Sequence, residues 1–109
     1  IDLIIEGVHL MPDNRWLKEW REQGGIAIGF IMIVEVEETH ISMLKERDAH
    51  SWRKADRYLA AFDRIRAIQN GAIDLGRMKQ WDTMDPTTIA DPVDRIEHWL
   101  DLEWNKSIR

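Results

Sequence analysis

The chain has no cysteine among its 109 residues. This absence excludes a disulfide scaffold, a zinc site built on thiolates and a cysteine nucleophile. Long apolar runs are also absent: the longest, Ile26 to Val34, is about half of the roughly 18 residues that a membrane helix requires. No basic leader precedes an apolar segment, so we expect a soluble, cytoplasmic protein without a membrane partner.

Positive charge is in short supply. The sequence has 15 Lys and Arg residues against 20 Asp and Glu residues, which gives a net charge of −5. This balance argues against nucleic acid as a partner, because nucleic-acid modules depend on attraction to phosphate charge. A local basic patch remains compatible with the binding of one small anion.

Several catalytic motifs are missing. The sequence has no G-x-x-x-x-G-K-[ST] loop to hold a triphosphate, and no G-x-S-x-G, H-E-x-x-H or G-x-G-x-x-G motif. None of the four histidines lies three or four residues from another, and there is no thiolate to help them. The sequence therefore offers little support for a zinc site.

What is present is an ordinary globular composition, with 44% hydrophobic and 32% charged residues. The length allows at most one α/β domain, or a fragment of one, over residues 1–109. We divide it into a βαβ core (1–36), a set of helices (37–80), and a loop with a C-terminal helix (81–109).

The βαβ prediction rests on two apolar segments. Ile1 to Ile5 predicts a strand that Glu6-Gly7 ends. Pro12-Asp13-Asn14 then predicts a turn and an N-cap, and Gly24-Gly25 ends the helix. Ile26 to Val36 predicts a second strand, whose continuous apolar character is typical of a parallel sheet covered on both faces.

The remainder predicts helices. Thr39 or a neighbour is expected to cap a short helix, and Ser51 a longer one for which Asn70-Gly71 is a candidate break. Trp81 to Ala90 predicts a loop. Asp91-Pro92 predicts a cap followed by proline at the first position of a final amphipathic helix.

Two parallel strands do not make a viable core by themselves, and unpaired strand edges invite association. We therefore expect either a missing N-terminal half or a homo-oligomer that supplies further strands.

Candidate chemistry begins at the end of the first predicted strand. Glu6 and His9 lie where ligands bind in open parallel sheets, although a solvated Glu before a turn and a surface His would leave the same pattern. Several basic residues follow, and the planar guanidinium group of arginine suits the binding of phosphate oxygens. They are Lys45, Arg47, Arg53, Lys54, Arg57, Arg64 and Arg66. A solvated helical face is the alternative interpretation of that series. Arg66 differs because it adjoins the apolar positions Ile65 and Ile68, where its methylene stem would equally cover the core.

Three segments resemble the 2-phosphoglycerate kinase-like proteins, a family of P-loop kinases. Ile4 to Pro12, IIEGVHLMP, resembles a motif of that family. Glu37 to His40, followed by Leu44 and Arg47, is similar to its strand exit and the start of its arginine-bearing lid, although Met43 stands where the lid would carry an arginine. Arg57 to Gln69 is similar to the helix after the lid. Together the segments cover roughly residues 1–80.

The resemblance implies a partial P-loop NTPase-like fold, with the triphosphate-binding half upstream of this chain. It implies ATP and Mg²⁺ as cofactors and the conversion of 2-phosphoglycerate to 2,3-bisphosphoglycerate. By position, Glu6 would be catalytic and would organise Mg²⁺ or the acceptor hydroxyl, and His9 would contact the phosphorylated substrate. Arg47 as a catalytic residue, with Arg53 and Arg57 at the substrate, would neutralise charge on the transferring phosphoryl group.

Two functions therefore follow from the sequence. One is the C-terminal part of a small-metabolite kinase, inactive as this chain alone. The alternative is a non-catalytic α/β protein that uses its tryptophans to self-associate or to bind a protein partner.

Overall fold

The computed structural model describes residues 3–7, 10–50 and 55–107. Over these ranges the chain forms a mixed α/β structure of five helices and one two-stranded parallel sheet. In chain order the elements are α1 (Asn14–Glu22), β1 (Phe30–Met32), α2 (Glu37–His50), α3 (Ala55–Ala60), α4 (Phe62–Met78), β2 (Asp82–Met84) and α5 (Pro92–Ser107). None of the helices so described combines the length and the apolar character needed to cross a bilayer.

The sheet pairs β1 with β2 in parallel, with Phe30 opposite Asp82 and Met32 opposite Met84. The N–H of Ile33 donates to the carbonyl oxygen of Met84 at 2.9 Å and continues the ladder past β1. Helices α2, α3 and α4 connect the two strands, because parallel strands need a long crossover. The predicted α/β class is confirmed, but the parallel pair is not the predicted one, which joined Ile1 to Ile5 with Ile26 to Val36.

The strands themselves differ from those predicted. Ile1 and Asp2 lie outside the described residues, and Leu3 to Ile5 form no strand, with Ile4 91% exposed. Of the predicted strand Ile26 to Val36, only β1 is paired, since β2 alone borders it within the described ranges. The predicted loop Trp81 to Ala90 contains β2. The observed β-α-β unit is therefore β1, α2 to α4, and β2.

Local capping signals are confirmed at two helices. The Asp13 side chain accepts a hydrogen bond from the N–H of Arg15 at 2.9 Å and begins α1. After α1 the chain turns at Gly24, whose φ of +87° favours glycine. The Asp91 side chain accepts from the N–H of Asp94 at 3.1 Å, and Pro92 is the first residue of α5.

Two other predicted helix boundaries differ from the structure, and a third is not described by it. Helix α2 begins at Glu37, so Thr39 lies within its first turn. The Ser51 cap lies outside the described residues. The predicted break at Asn70-Gly71 does not occur, because α4 packs against both strands and an isolated glycine costs a helix only about 1 kcal/mol. A break occurs instead at Ala61, between α3 and α4.

The core is small. Its buried apolar side chains among the described residues are Ile33, Leu44 and Met84, and the last is only 1% exposed. The Cα radius of gyration is 16.2 Å, against about 13 Å for a compact domain of this length. The structure therefore has an elongated shape and a thin apolar centre.

Two glycines of α4 allow a matched test of how this helix packs. A methyl group added at Gly76 would overlap Cδ1 of Ile31 in β1, whereas one added at Gly71 would meet open space. We expect Gly71→Ala to raise the free energy of unfolding by about 0.5–1 kcal/mol. Gly76→Ala is expected to stabilise the protein less than Gly71→Ala does, because Cδ1 of Ile31 has to move to make room for the methyl group. Urea denaturation of both variants measures the difference, and equal stabilisation by the two would contradict the close approach of α4 to β1.

Candidate functional site

The backbone that leaves β1 is held by side chains rather than by another strand. Gln69 on α4 makes two hydrogen bonds with Val34: its Oε1 accepts from the Val34 N–H at 3.0 Å, and its Nε2 donates to the Val34 carbonyl at 3.0 Å. These two bonds take the place of the hydrogen bonds that a neighbouring strand would make with Val34. The segment between β1 and α2 is therefore fixed against α4.

Arg66 lies one turn before Gln69 on α4 and holds the same segment. Its Nη1 donates to the Val34 carbonyl, and its Nη2 donates to the Glu35 carbonyl at 3.0 Å. Its Nε is buried and has no hydrogen-bond partner among the described residues. The sequence left open whether this arginine serves a ligand or the core, and in the structure two of its nitrogens bind backbone oxygens.

Asp85 completes the cluster from the other strand. It directly follows β2, is only 5% exposed, and its Oδ2 accepts from the Glu35 N–H at 2.8 Å. Its Oδ1 accepts from the N–H of Thr87 at 2.8 Å and from the Thr87 hydroxyl. Burial alone would raise the pKa of Asp85, but these hydrogen bonds outweigh it and hold that pKa below 3.8. The carboxylate is ionised at neutral pH.

His40 borders the cluster from α2. Its Nδ1 lies 3.4 Å from Nη1 of Arg66, and its ring packs edge-on against Phe62 at 5.2 Å between centroids. Burial lowers the pKa of His40 below 6.5, and the positive charges of Arg66 and Arg47 lower it further. The imidazole is therefore neutral at neutral pH and is able to accept or donate a hydrogen bond.

The carboxyl edge of the sheet thus gathers a buried carboxylate, a guanidinium group and a neutral imidazole. Ligands of open parallel sheets bind at this edge. We define Glu35, His40, Arg66, Gln69 and Asp85 as the carboxyl-edge cluster. Neither Gln69 nor Asp85 was a candidate from sequence. The signal for Asp85 was its place after a strand, and that strand was not recognised.

The residues predicted from sequence are placed differently. Glu6 is exposed on the segment before α1 and makes no hydrogen bond or ion pair with any other residue that the structure describes. Arg47 lies over the Tyr58 ring at 5.8 Å, which links α2 to α3, and Arg57 is exposed on α3. His9 and Arg53 lie outside the described residues. No direct contact joins Glu6 to Arg47 or Arg57.

The resemblance implies Mg²⁺ as a cofactor, and the described residues show no complete set of ligands for it. Over residues 3–7, 10–50 and 55–107, no three His, Asp or Glu side chains converge as metal ligands would. Glu6 stands alone, and the Asp85 oxygens already accept hydrogen bonds. Mg²⁺ as a cofactor therefore stays a prediction of the resemblance.

Comparison of the chain with protein-family models, curated proteins and solved structures finds no match. The resemblance to the 2-phosphoglycerate kinase-like family therefore rests on its three sequence segments and remains a prediction.

The first prediction for the cluster concerns Asp85. We expect Asp85→Ala to lower the free energy of unfolding by about 1–3 kcal/mol, because it leaves the partly buried Glu35 N–H without its acceptor. Asp82→Ala is the matched control: Asp82 is exposed on β2, and its loss should change stability by no more than about 0.5 kcal/mol. Urea denaturation near neutral pH measures both.

The stability that Asp85 contributes is expected to depend on pH. A carboxyl whose pKa is depressed on folding contributes stability above its unfolded pKa and loses it as pH falls through the lower native value. The difference in free energy of unfolding between wild type and Asp85→Ala should therefore be constant from neutrality to about pH 5 and should shrink below about pH 3.8. A constant gap throughout acid would contradict an ionised Asp85.

The second prediction concerns Arg66. Arg66→Met keeps the apolar stem and removes the guanidinium group. We expect it to lower the free energy of unfolding by about 2 kcal/mol, because the bonds to the Val34 and Glu35 carbonyls are lost. Arg64→Met, on the exposed side of the same helix, should be close to neutral.

Proton NMR titration of His40 provides an independent measurement. Removing the Arg66 charge should raise the pKa of His40 toward, but not to, 6.5, because burial still lowers it. An unchanged His40 pKa in Arg66→Met would show that the two side chains do not interact in solution.

Proposed function

We propose that this chain is the C-terminal, lid-bearing part of an ATP-dependent small-metabolite kinase whose substrate is 2-phosphoglycerate. The observation that carries the proposal is the parallel β1–β2 pair with its three-helix crossover, whose carboxyl edge bears the ionised Asp85, neutral His40 and Arg66. Many classes of enzyme bind ligands at this edge of a parallel sheet, and the three family-like segments favour phosphoryl transfer among them.

Helices α2 and α3 suit the role of a lid. They pack against each other and are joined by the contact of Arg47 with the Tyr58 ring. Arg47 and Arg57 are exposed on this pair, so their guanidinium groups are available to phosphate oxygens. Closure of such a pair over a nucleotide would place positive charge at the transferring group and exclude water.

Exposed apolar side chains at the start of the chain and in β1 support the proposal that the complete enzyme has a further part. Leu3, Ile4 and Ile5 are 66%, 91% and 55% exposed, and Met32 at the end of β1 is 60% exposed. Side chains of this kind normally lie against other elements. Additional strands beside β1 would bury them, and the resemblance supplies such strands from an upstream P-loop half.

The proposed reaction transfers the γ-phosphoryl group of ATP to the free hydroxyl of 2-phosphoglycerate, giving ADP and 2,3-bisphosphoglycerate. Catalysis in P-loop kinases depends on backbone amides and a lysine that hold the β- and γ-phosphates. This sequence contains no such loop. The chain on its own is therefore expected to be inactive, and His9, Arg53 and Arg57 would serve the substrate within the complete enzyme.

A second candidate function is self-association without catalysis. Trp16, Trp20 and Trp104 are 53%, 39% and 54% exposed, and tryptophan is enriched at protein interfaces. In this alternative a second copy, rather than an upstream half, covers the exposed apolar side chains.

The deciding experiment uses the polypeptide as its natural source produces it. Its intact mass and N-terminal sequence are determined, and the product is incubated with Mg-ATP and 2-phosphoglycerate while 2,3-bisphosphoglycerate is followed by mass spectrometry. We expect a larger product with a glycine-rich lysine loop and ATP-dependent turnover. A product of 12.9 kDa that forms a stable oligomer indifferent to ATP would overturn the kinase proposal in favour of self-association.

Within that enzyme, Glu6→Gln tests the assigned catalytic carboxylate. We expect turnover to fall by roughly two or more orders of magnitude, as is common when a group acting on the transition state is lost. Glu97→Gln, which removes one exposed carboxylate from α5, is the matched control and should retain activity. Near-wild-type turnover in Glu6→Gln would contradict the role of Glu6.

A further inference from the structure

A cleft opens at the opposite edge of the sheet, where the strands begin. Helix α1, helix α5, Gly29 before β1 and the turn from Lys79 to Trp81 enclose about 520 Å³. This volume lies within the range of small-molecule sites in proteins. The cleft shares no lining residue with the carboxyl-edge cluster, because the two lie at opposite ends of the strands.

Specific contacts between elements hold the cleft walls in place. Asn14, the first residue of α1, donates to the Lys79 carbonyl at 3.1 Å and accepts from Trp81 Nε1 at 2.7 Å. These two bonds attach α1 to the turn before β2. Trp81 in turn packs against Gly29, where any side chain would overlap the indole.

The other wall is attached through α5. Trp99 packs against Phe30 of β1 with 5.2 Å between ring centroids. Glu103 lies 3.6 Å from Arg21 on α1 and 3.3 Å from Lys106, so one carboxylate ties the two helices across the cleft. Arg21 also donates to the Ala27 carbonyl at 2.6 Å. The cleft is thus formed by ordered side chains on three sides.

Its charge is opposite to that of the chain. The lining carries five cationic side chains and two carboxylates, Asp82 and Glu103, in a protein of net charge −5. Arg15 pairs with Asp13 and Lys18 with Glu22, both outside the lining, and Arg21 and Lys106 pair with Glu103. Lys79 is the lining cation without an ion pair among the described residues. The cations come from α1, from the turn after α4 and from α5: Arg15, Lys18, Arg21, Lys79 and Lys106. Cations from three separate elements therefore face one concavity.

We propose that this cleft binds a small molecule bearing at least two phosphate charges, at a site separate from the carboxyl-edge cluster. Lysine and arginine are the usual partners of phosphate oxygens, and the Trp81 and Trp99 rings provide an apolar wall for the remainder of such a ligand. This inference does not depend on the proposed kinase function.

Isothermal titration of the 109-residue chain with inorganic pyrophosphate at low salt tests the proposal. We expect one ligand per chain, with affinity falling as salt rises. The double variant Lys79→Gln/Lys106→Gln should bind roughly tenfold more weakly, because two nearby cations are lost. The control Lys45→Gln/Arg64→Gln loses the same charge from exposed residues of α2 and α4 outside the cleft, and it should change affinity by less than about twofold.

Asn14→Ala distinguishes binding at a defined site from non-specific electrostatic attraction. It changes no charge but removes both bonds that fix α1 to the Trp81 turn, so a built site predicts weaker binding while circular dichroism confirms the fold. Absence of binding to wild type, equal losses in both double variants, or full affinity in a folded Asn14→Ala would each overturn the proposal. Tighter binding of citrate than of pyrophosphate would overturn the assignment to phosphate.

Discussion

The structure depends on how the backbone between β1 and α2 satisfies its polar groups. Val34 and Glu35 leave the sheet after only three paired residues, and their amides and carbonyls bond to Gln69, Arg66 and Asp85. Partly buried backbone groups without partners would cost free energy comparable to a lost hydrogen bond each. Because these partners come from α4 and from the residue after β2, one set of bonds fixes a helix, both strands and the start of α2.

Helix α4 meets this requirement with one face. Arg66 and Gln69 are three residues apart and Gly76 follows seven later, spacings that return to the same side of a helix. The first two hold the segment after β1, and the absence of a side chain at Gly76 lets the helix approach Ile31 within β1. Candidate chemistry at the carboxyl edge and the cationic cleft at the other edge are therefore positioned by the same packing of α4 on the sheet.

Features set by neighbouring residues could be predicted from sequence, and features set by distant residues could not. The caps at Asp13 and Asp91 depend on amides two or three residues away, and both were predicted correctly. Strand β2, with the sequence Asp-Thr-Met, carries no apolar run of its own and is defined by its pairing with β1. The predicted strand at Leu3 to Ile5 had the right composition but has no partner within the described residues. Asp85 and Gln69 were missed for the same reason, since their partners lie 50 and 35 residues away.

The long separation between the paired segments also has a kinetic meaning. The Asp85 to Glu35 bond closes a loop of 50 residues, whereas the bonds that build α2, α3 and α4 lie within single helical turns. Loop-closure entropy must be overcome before a distant contact contributes, and contacts of this kind slow folding. Formation of the carboxyl-edge cluster therefore requires closure of this loop, and we expect that closure to be slower than the formation of single helical turns.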